Sequence, residues 1–264
     1  MALYFGLNAL GFFLTALFLG HDSTISLTQE LSHARSSVSV IFLFSTFIPL
    51  LLATTIAVRI FHKRKFKTLV GPYVATLKNF GQTTAISFVF FAFVIAISSI
   101  FDRPLSNLSF GEWLTFLVPL LLLLFIQITA EEVLFRGYVL QQVAARFSAP
   151  WVYIFIPSLI FAALHWNPSA GALNWLFIGA TFQFAVLATD LTIRTGNLGA
   201  AMGVHFVNNL FGVLVLSLQG TMDGAALFVT EYSIENPGPL GWSIAGNMVL
   251  MMVLWKILRI RLRC

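Results

Sequence analysis

Apolar runs of bilayer length recur along this chain with few charges inside them, and this pattern constrains its fold more than any other feature. A hydrocarbon core about 30 Å thick takes roughly 20 apolar residues of α-helix, at about 1.5 Å of rise each. Eight segments answer that description: Ala2 to Leu19, Val38 to Phe61, Thr83 to Phe101, Trp113 to Ala130 and beyond, Trp151 to Trp166, Ala172 to Thr189, Leu198 to Leu218, and Leu240 to Leu258. Lipid offers backbone N–H and C=O groups no partner, so a spanning chain must satisfy them within helices. The expected fold class is therefore all-α, a polytopic transmembrane bundle of about eight spans. Only 9% of the residues are charged, against about 25% in soluble domains, which excludes a soluble fold. The first segment is the least regular span, since Gly6, Asn8 and Gly11 interrupt it. No basic residue precedes it, which argues against a signal peptide.

The cations set the expected orientation. Arg59, Lys63, Arg64, Lys65, Lys67 and Lys78 lie between the second and third segments without an acid, and Lys256, Arg259, Arg261 and Arg263 follow the last. Both groups belong on the cytoplasmic side by the positive-inside rule. Alternation then places Arg136, Arg146 and Arg194 inside and leaves only Arg35 and Arg103 outside. Both termini are expected in the cytoplasm, and a bacterial plasma membrane is the expected location. The net charge of +5 reports this topology, and no nucleic-acid partner is expected, because the cations gather at membrane edges. The segment Phe61 to Phe80, where basic and aromatic residues alternate, reads as a short interfacial helix. Gly220 to Pro239 reads as a turn-rich outer loop. The single cysteine, Cys264, excludes an intrachain disulfide and a Cys-rich metal site. The organisation expected is three parts: 1–112 with the N-terminal spans and a basic loop, 113–218 as a catalytic helical core, and 219–264 with the outer loop and last span.

Ionisable side chains inside membrane helices are costly and default to a functional reading. Glu131 and Glu132 follow a leucine-rich run, and Arg136 stands four residues after Glu132, where the two can pair on one helix face. Glu131 points about 100° away and is left available, unless both acids snorkel to the membrane edge. His165 ends the fifth segment beside Trp166 and Asn167 and, taken alone, reads as an interfacial histidine. A turn at Ser148, Ala149 and Pro150 places Glu131 and His165 seventeen residues away on either arm, at one depth of an antiparallel pair. His205 and Asn209 share a face of the seventh segment, with Asn208 close by. They serve either a site or interhelical packing, and Gly199 with Gly203 supports close packing there. Asp190 and Arg194, also four apart, read as an inner-loop ion pair of topological value only.

A glutamate and a histidine at one level of a wet cavity can activate water, the carboxylate acting as base. A second histidine with an amide one turn away can donate to an oxyanion. The same atoms admit a metal reading, because one Glu and two His can hold a catalytic zinc with an open position for water. His-Glu-x-x-His is absent, as is a Gly-x-Ser-x-Gly elbow, and with the only cysteine at position 264 a Ser or Cys nucleophile is disfavoured.

Taken together, Glu131-Glu132…Arg136, Phe161…His165 and His205…Asn209 resemble the three ordered motifs of the CAAX-protease and bacteriocin-processing intramembrane endopeptidases, a family related to the type II CAAX prenyl endopeptidase. Leu134-Phe135-Arg136-Gly137 and Asn197-Leu198-Gly199-Ala200-Ala201 are similar as well, and the resemblance covers roughly Trp113 to Leu218. It implies that Glu131 is the general base and His165 helps to activate water. It further implies an oxyanion site at His205 and Asn209, with Glu132 and Arg136 organising the centre. The expected activity is hydrolysis of a peptide bond in a membrane-embedded or lipidated peptide, in a cavity open to the cytoplasmic side. No cofactor is required on the glutamate-type reading; a divalent metal such as zinc, if present, would take Glu131, His165 and His205. The competing expectation is a transporter, scaffold or immunity protein that uses the buried charges for proton coupling or packing.

Overall fold

The computed structural model describes residues 2–31 and 34–262; Arg263 and Cys264 lie outside the described residues. The chain is an all-α membrane bundle, with twelve α-helices among those residues: α1 (Ala2–Leu19), α2 (His21–Glu30), α3 (Ser37–Ser45), α4 (Phe47–Phe61), α5 (Lys67–Val70), α6 (Tyr73–Phe101), α7 (Phe110–Glu132), α8 (Leu140–Ala144), α9 (Pro150–Ala163), α10 (Asn174–Thr195), α11 (Gly199–Asn209) and α12 (Leu240–Arg261). Wider π-helical turns, Val133–Val139 and Leu210–Val215, follow α7 and α11, and a 3₁₀ stretch, Pro168–Leu173, precedes α10.

Among the described residues six helical stretches are long and apolar enough to cross a bilayer: Ala2–Leu19, Ser37–Phe61, Tyr73–Phe101, Phe110–Ala144, Pro168–Thr195 and Leu240–Arg261. The fifth and seventh expected spans are shorter, Pro150–Ala163 and Gly199–Val215. Pro150 opens α9 at its first turn, where a missing N–H costs nothing. The helix stops before Asn167, whose side chain accepts from Ser169 N (3.0 Å) and caps the 3₁₀ stretch. Its 14 residues reach about 21 Å, short of a full crossing. Phe110–Ala144, by contrast, is 35 residues long and reaches about 50 Å, more than a bilayer core needs.

Three expectations change. The loop after α11 is not all turn: Leu216–Gln219 (β2) and Phe228–Ser233 (β3) join Leu105–Ser106 (β1) in a three-stranded sheet of order β1-β3-β2, with Leu105 opposite Val229 and Ser106 opposite Phe228. The interfacial helix expected over Phe61 to Phe80 is replaced by the single turn α5 and the start of α6. Gly71 breaks it, at φ +92°, a conformation strained for any residue with a Cβ. Asp190 is not a loop residue. It sits within α10 and accepts from Arg194 Nε (2.8 Å) and from Trp255 Nε1 (2.9 Å) of α12, tying those two helices together.

The chain forms two compact units, each discontinuous in sequence. The first takes residues up to Lys65, Pro104–Ala130 and Asn209–Glu231; the second takes Phe66–Arg103, Glu131–Asn208 and Tyr232 onward. In the first, Trp113 Nε1 donates to Leu214 O (2.7 Å) and Ser37 Oγ to Gly224 O (2.8 Å). In the second, α11 lies directly on α6. A Cβ at Gly199 would fall on the Thr76 carbonyl oxygen, and one at Gly203 would come within 2.9 Å of Phe80 O and Thr83 Cβ. The small-residue pair read from the sequence thus serves backbone contact, as it does where membrane helices pack without a hydrophobic driving force.

Candidate active site

The second unit carries the buried charges. Glu132, at the end of α7, is fully buried, Arg136 is 2% exposed and His205 is 3% exposed. Glu132 Oε1 accepts from Arg136 Nη1 (2.9 Å) and from His205 Nδ1 (2.8 Å). Burying a charge costs several kcal/mol unless a partner and hydrogen bonds compensate, and here each group compensates another. Arg136 also donates from Nη2 to the Ala185 carbonyl of α10 (3.3 Å). Its guanidinium lies 4.6 Å from the centre of the Phe161 ring and 5.9 Å from that of Phe184, contacts that gain strength where water is absent. The backbone widens to a π-helix over the turn that holds Arg136, and such turns concentrate at functional sites.

A carboxylate only accepts, so the Glu132 contact places a hydrogen on His205 Nδ1. The other nitrogen, Nε2, faces Glu131 Oε2 at 3.5 Å. That oxygen is buried and has no hydrogen-bond partner within the protein. Two lone pairs facing each other at this separation repel, so a proton must sit on one of them or a third group must donate between them. The rings of Phe184 (5.0 Å) and Phe161 (6.2 Å) meet the imidazole edge-on and keep its surroundings apolar.

His165 lies just past the end of α9 and is exposed. Its Nδ1 is 2.8 Å from the Phe161 carbonyl. The carbonyl can only accept, so Nδ1 donates and Nε2 presents a lone pair. The rings of His165 and Phe161 are 4.6 Å apart. Phe161 therefore touches both histidines, and it is the imidazole of His205 that faces Glu131. Asn209 closes α11 but belongs to the first unit, where its Nδ2 donates to Gln127 Oε1 (3.0 Å).

Glu131, His165 and His205 do not fit a three-ligand metal centre. Among the described residues no three His, Cys, Asp or Glu side chains come together as a group able to hold a metal ion. Phe184, Ala185 and Gln127 were not singled out in the sequence. Gln127 left a readable signal, being a polar residue inside an apolar run and four residues before Glu131. Phe184 and Ala185 left none in their apolar surroundings.

The fold and these buried groups define an integral membrane protein with a buried charged centre in its second unit. Residues 112–211 match the family model described as Type II CAAX prenyl endopeptidase Rce1-like, and the matched segment takes in all three motifs. That segment is similar to the Rce1-like family, which is one of intramembrane proteases. The chain is also 28% identical over 246 residues to the "Uncharacterized protein YyaK" of Bacillus subtilis (strain 168), covering 87% of this chain and 80% of that protein. No solved structure matches significantly.

Proposed function

We propose that this protein is an endopeptidase that hydrolyses a peptide bond of a membrane-embedded or lipidated peptide, using Glu131 as general base. The observation that carries the reading is the Glu131 Oε2 atom, buried, without a protein partner, and 3.5 Å from His205 Nε2. A water donating to that oxygen would lie beside the imidazole. Glu131 takes a proton from the water as its oxygen attacks the carbonyl carbon. His205, held through Nδ1 by Glu132, carries its second proton on Nε2 at this stage and donates it as a hydrogen bond to the oxyanion. When the C–N bond breaks, Glu131 returns its proton to the leaving amine. His165 enters through the resemblance, as the residue expected to help activate the water; its Nε2 presents the lone pair such a role needs. Asn209 enters only as the residue one helical turn beyond His205, where the family motif leads one to expect a second donor. The scheme routes no step through a metal. We place the Lys67 end of the second unit in the cytoplasm, with the cavity open to that side, in a bacterial plasma membrane.

The test is turnover of a lipidated peptide by protein reconstituted in liposomes, with and without a chelator. Glu131→Gln should lower turnover by about 10²–10⁴-fold, the usual worth of a general base, while the variant stays folded. Unchanged turnover would overturn the proposal and favour a transporter or scaffold built on the same charges.

A further inference from the structure

The charges of the second unit are divided unevenly. No Asp, Glu, Lys or Arg occurs between Lys78 and Asp102, nor between Arg146 and Asp190. The cations gather instead where α5, the end of α8 and the turn from α10 to α11 meet. Lys67, Lys78 and Arg146 are exposed there, and Lys256, Arg259 and Arg261 belong to the end of α12, which Trp255 joins to Asp190 of α10. Asp190 is the one acid at this end among the described residues, and Arg194, Trp255 and Arg259 (3.7 Å) already engage it.

The four-residue turn α5 is more than a linker. Gln141 Nε2 donates to Thr68 O (3.1 Å) and Leu198 N donates to Val70 O (3.0 Å). Thr76 Oγ1 donates to the same Val70 carbonyl (3.1 Å). Leu69 is buried against Gly137, where an added Cβ would come 3.1 Å from Leu69 O and 3.2 Å from Leu69 Cβ. Gly137 lies in the π-turn that holds Arg136. Leu198 immediately precedes α11, which carries His205. One short turn therefore grips both backbone segments whose side chains form the charged centre, and its first residue is an exposed lysine.

We propose that this basic end binds anionic lipid headgroups, and that α5 conveys their presence to the segments carrying Arg136 and His205. α5 precedes a helix long enough to cross the membrane (Tyr73–Phe101), and α8 and α12 each end such a stretch. That position puts the cations at the level of headgroups, where each basic residue adds to attraction for an anionic leaflet. A headgroup drawn to Lys67 and Lys78 holds α5 against Gly137 and Leu198, and so limits the freedom of His205 relative to Glu132. Only the effect on turnover rests on the hydrolytic reading above.

The experiment uses the full chain in nanodiscs of phosphatidylcholine alone or mixed with phosphatidylglycerol. Photoactivatable phosphatidylglycerol should crosslink to the Lys67–Lys78 region, with yield falling about fivefold for each cation removed in Lys67→Gln and Lys78→Gln. Exchange of the Leu198 amide hydrogen should slow in the anionic discs, and the double variant should erase the difference while Lys67→Arg keeps it. If turnover is observed, it should rise severalfold with anionic lipid, and the double variant should match the parent chain in neutral discs. Equal crosslinking of both variants, or Leu198 exchange indifferent to lipid charge, would overturn the inference. Protection by soluble glycerol phosphate in neutral discs would assign the surface to free phosphate instead and overturn it too. Turnover indifferent to lipid charge, with crosslinking as expected, would overturn the coupling through α5, whereas absence of any turnover, with crosslinking and exchange as expected, would fault the hydrolytic reading and leave the lipid site standing.

Discussion

The two units differ in how fully their buried polar side chains are paired. In the first, hydroxyls inside apolar helices bond within their own helix: Thr54 Oγ1 donates to Leu50 O (2.9 Å), Thr55 to Leu51 O (2.8 Å) and Thr129 to Phe125 O (2.6 Å). Such groups place no demand on a neighbour. In the second, Glu132 bonds His205 and Arg136 bonds the Ala185 carbonyl, each across segments far apart in sequence. Among the described residues six buried side-chain oxygens have no partner within the protein, on Thr83, Thr84, Ser87, Glu131, Glu132 and Thr189, and all six lie in the second unit. An unpaired buried oxygen costs about 1–3 kcal/mol, so the second unit gives up stability at these positions, the Glu131 carboxylate of the candidate site among them. The difference separates polarity that a helix absorbs by itself from polarity that remains open for chemistry.

Substitutions can break or sharpen that contrast. The largest effect should be on turnover, with Glu131→Gln removing the open carboxylate and leaving the thermal midpoint in detergent unchanged or higher. Next comes Arg136→Met, which leaves Glu132 buried without its cation and should cost about 3–5 kcal/mol in stability, read by denaturant unfolding in detergent. Gly203→Val, which drives a Cβ into the α6 backbone, should cost about 1–3 kcal/mol and reduce turnover, because α11 carries both Gly203 and His205. Trp255→Phe removes one hydrogen bond to Asp190 and should cost about 1 kcal/mol with no change in turnover. The smallest effect should be Thr54→Val in the first unit, within about 0.5 kcal/mol. If Thr54→Val were as costly as Arg136→Met, the contrast between the units would collapse.

Much of the candidate site was legible in the sequence, because its strongest contact is local. Glu132 and Arg136 are four residues apart, and α-helical spacing alone predicts their pairing, which the structure shows at 2.9 Å. The close approach of α11 to α6 was legible for a similar reason, since Gly199 and Gly203 repeat at one helical turn. The contact of Glu131 with His205 was less legible, because counting depth along a hairpin assumes continuous α-helix on both arms, and the arm through Val133–Val139 is π-helical while α9 ends before His165. The strands β1–β3 were hidden as well, because short strands in a turn-rich stretch carry too few residues to show a period of two.

The sequence by itself determined that this chain crosses a membrane as helices, which residues bear its buried charge, and that Glu132 is neutralised by Arg136. These follow from composition and from spacing along one helix, where geometry depends only on residue number. The tertiary structure alone decided that His205 lies beside both glutamates, that Phe161 touches both histidines, that Asp190 joins α10 to α12, and that α5 grips both site-bearing segments. Each of these is a contact between stretches tens of residues apart, fixed by how side chains fill the space between helices, and no local periodicity encodes it.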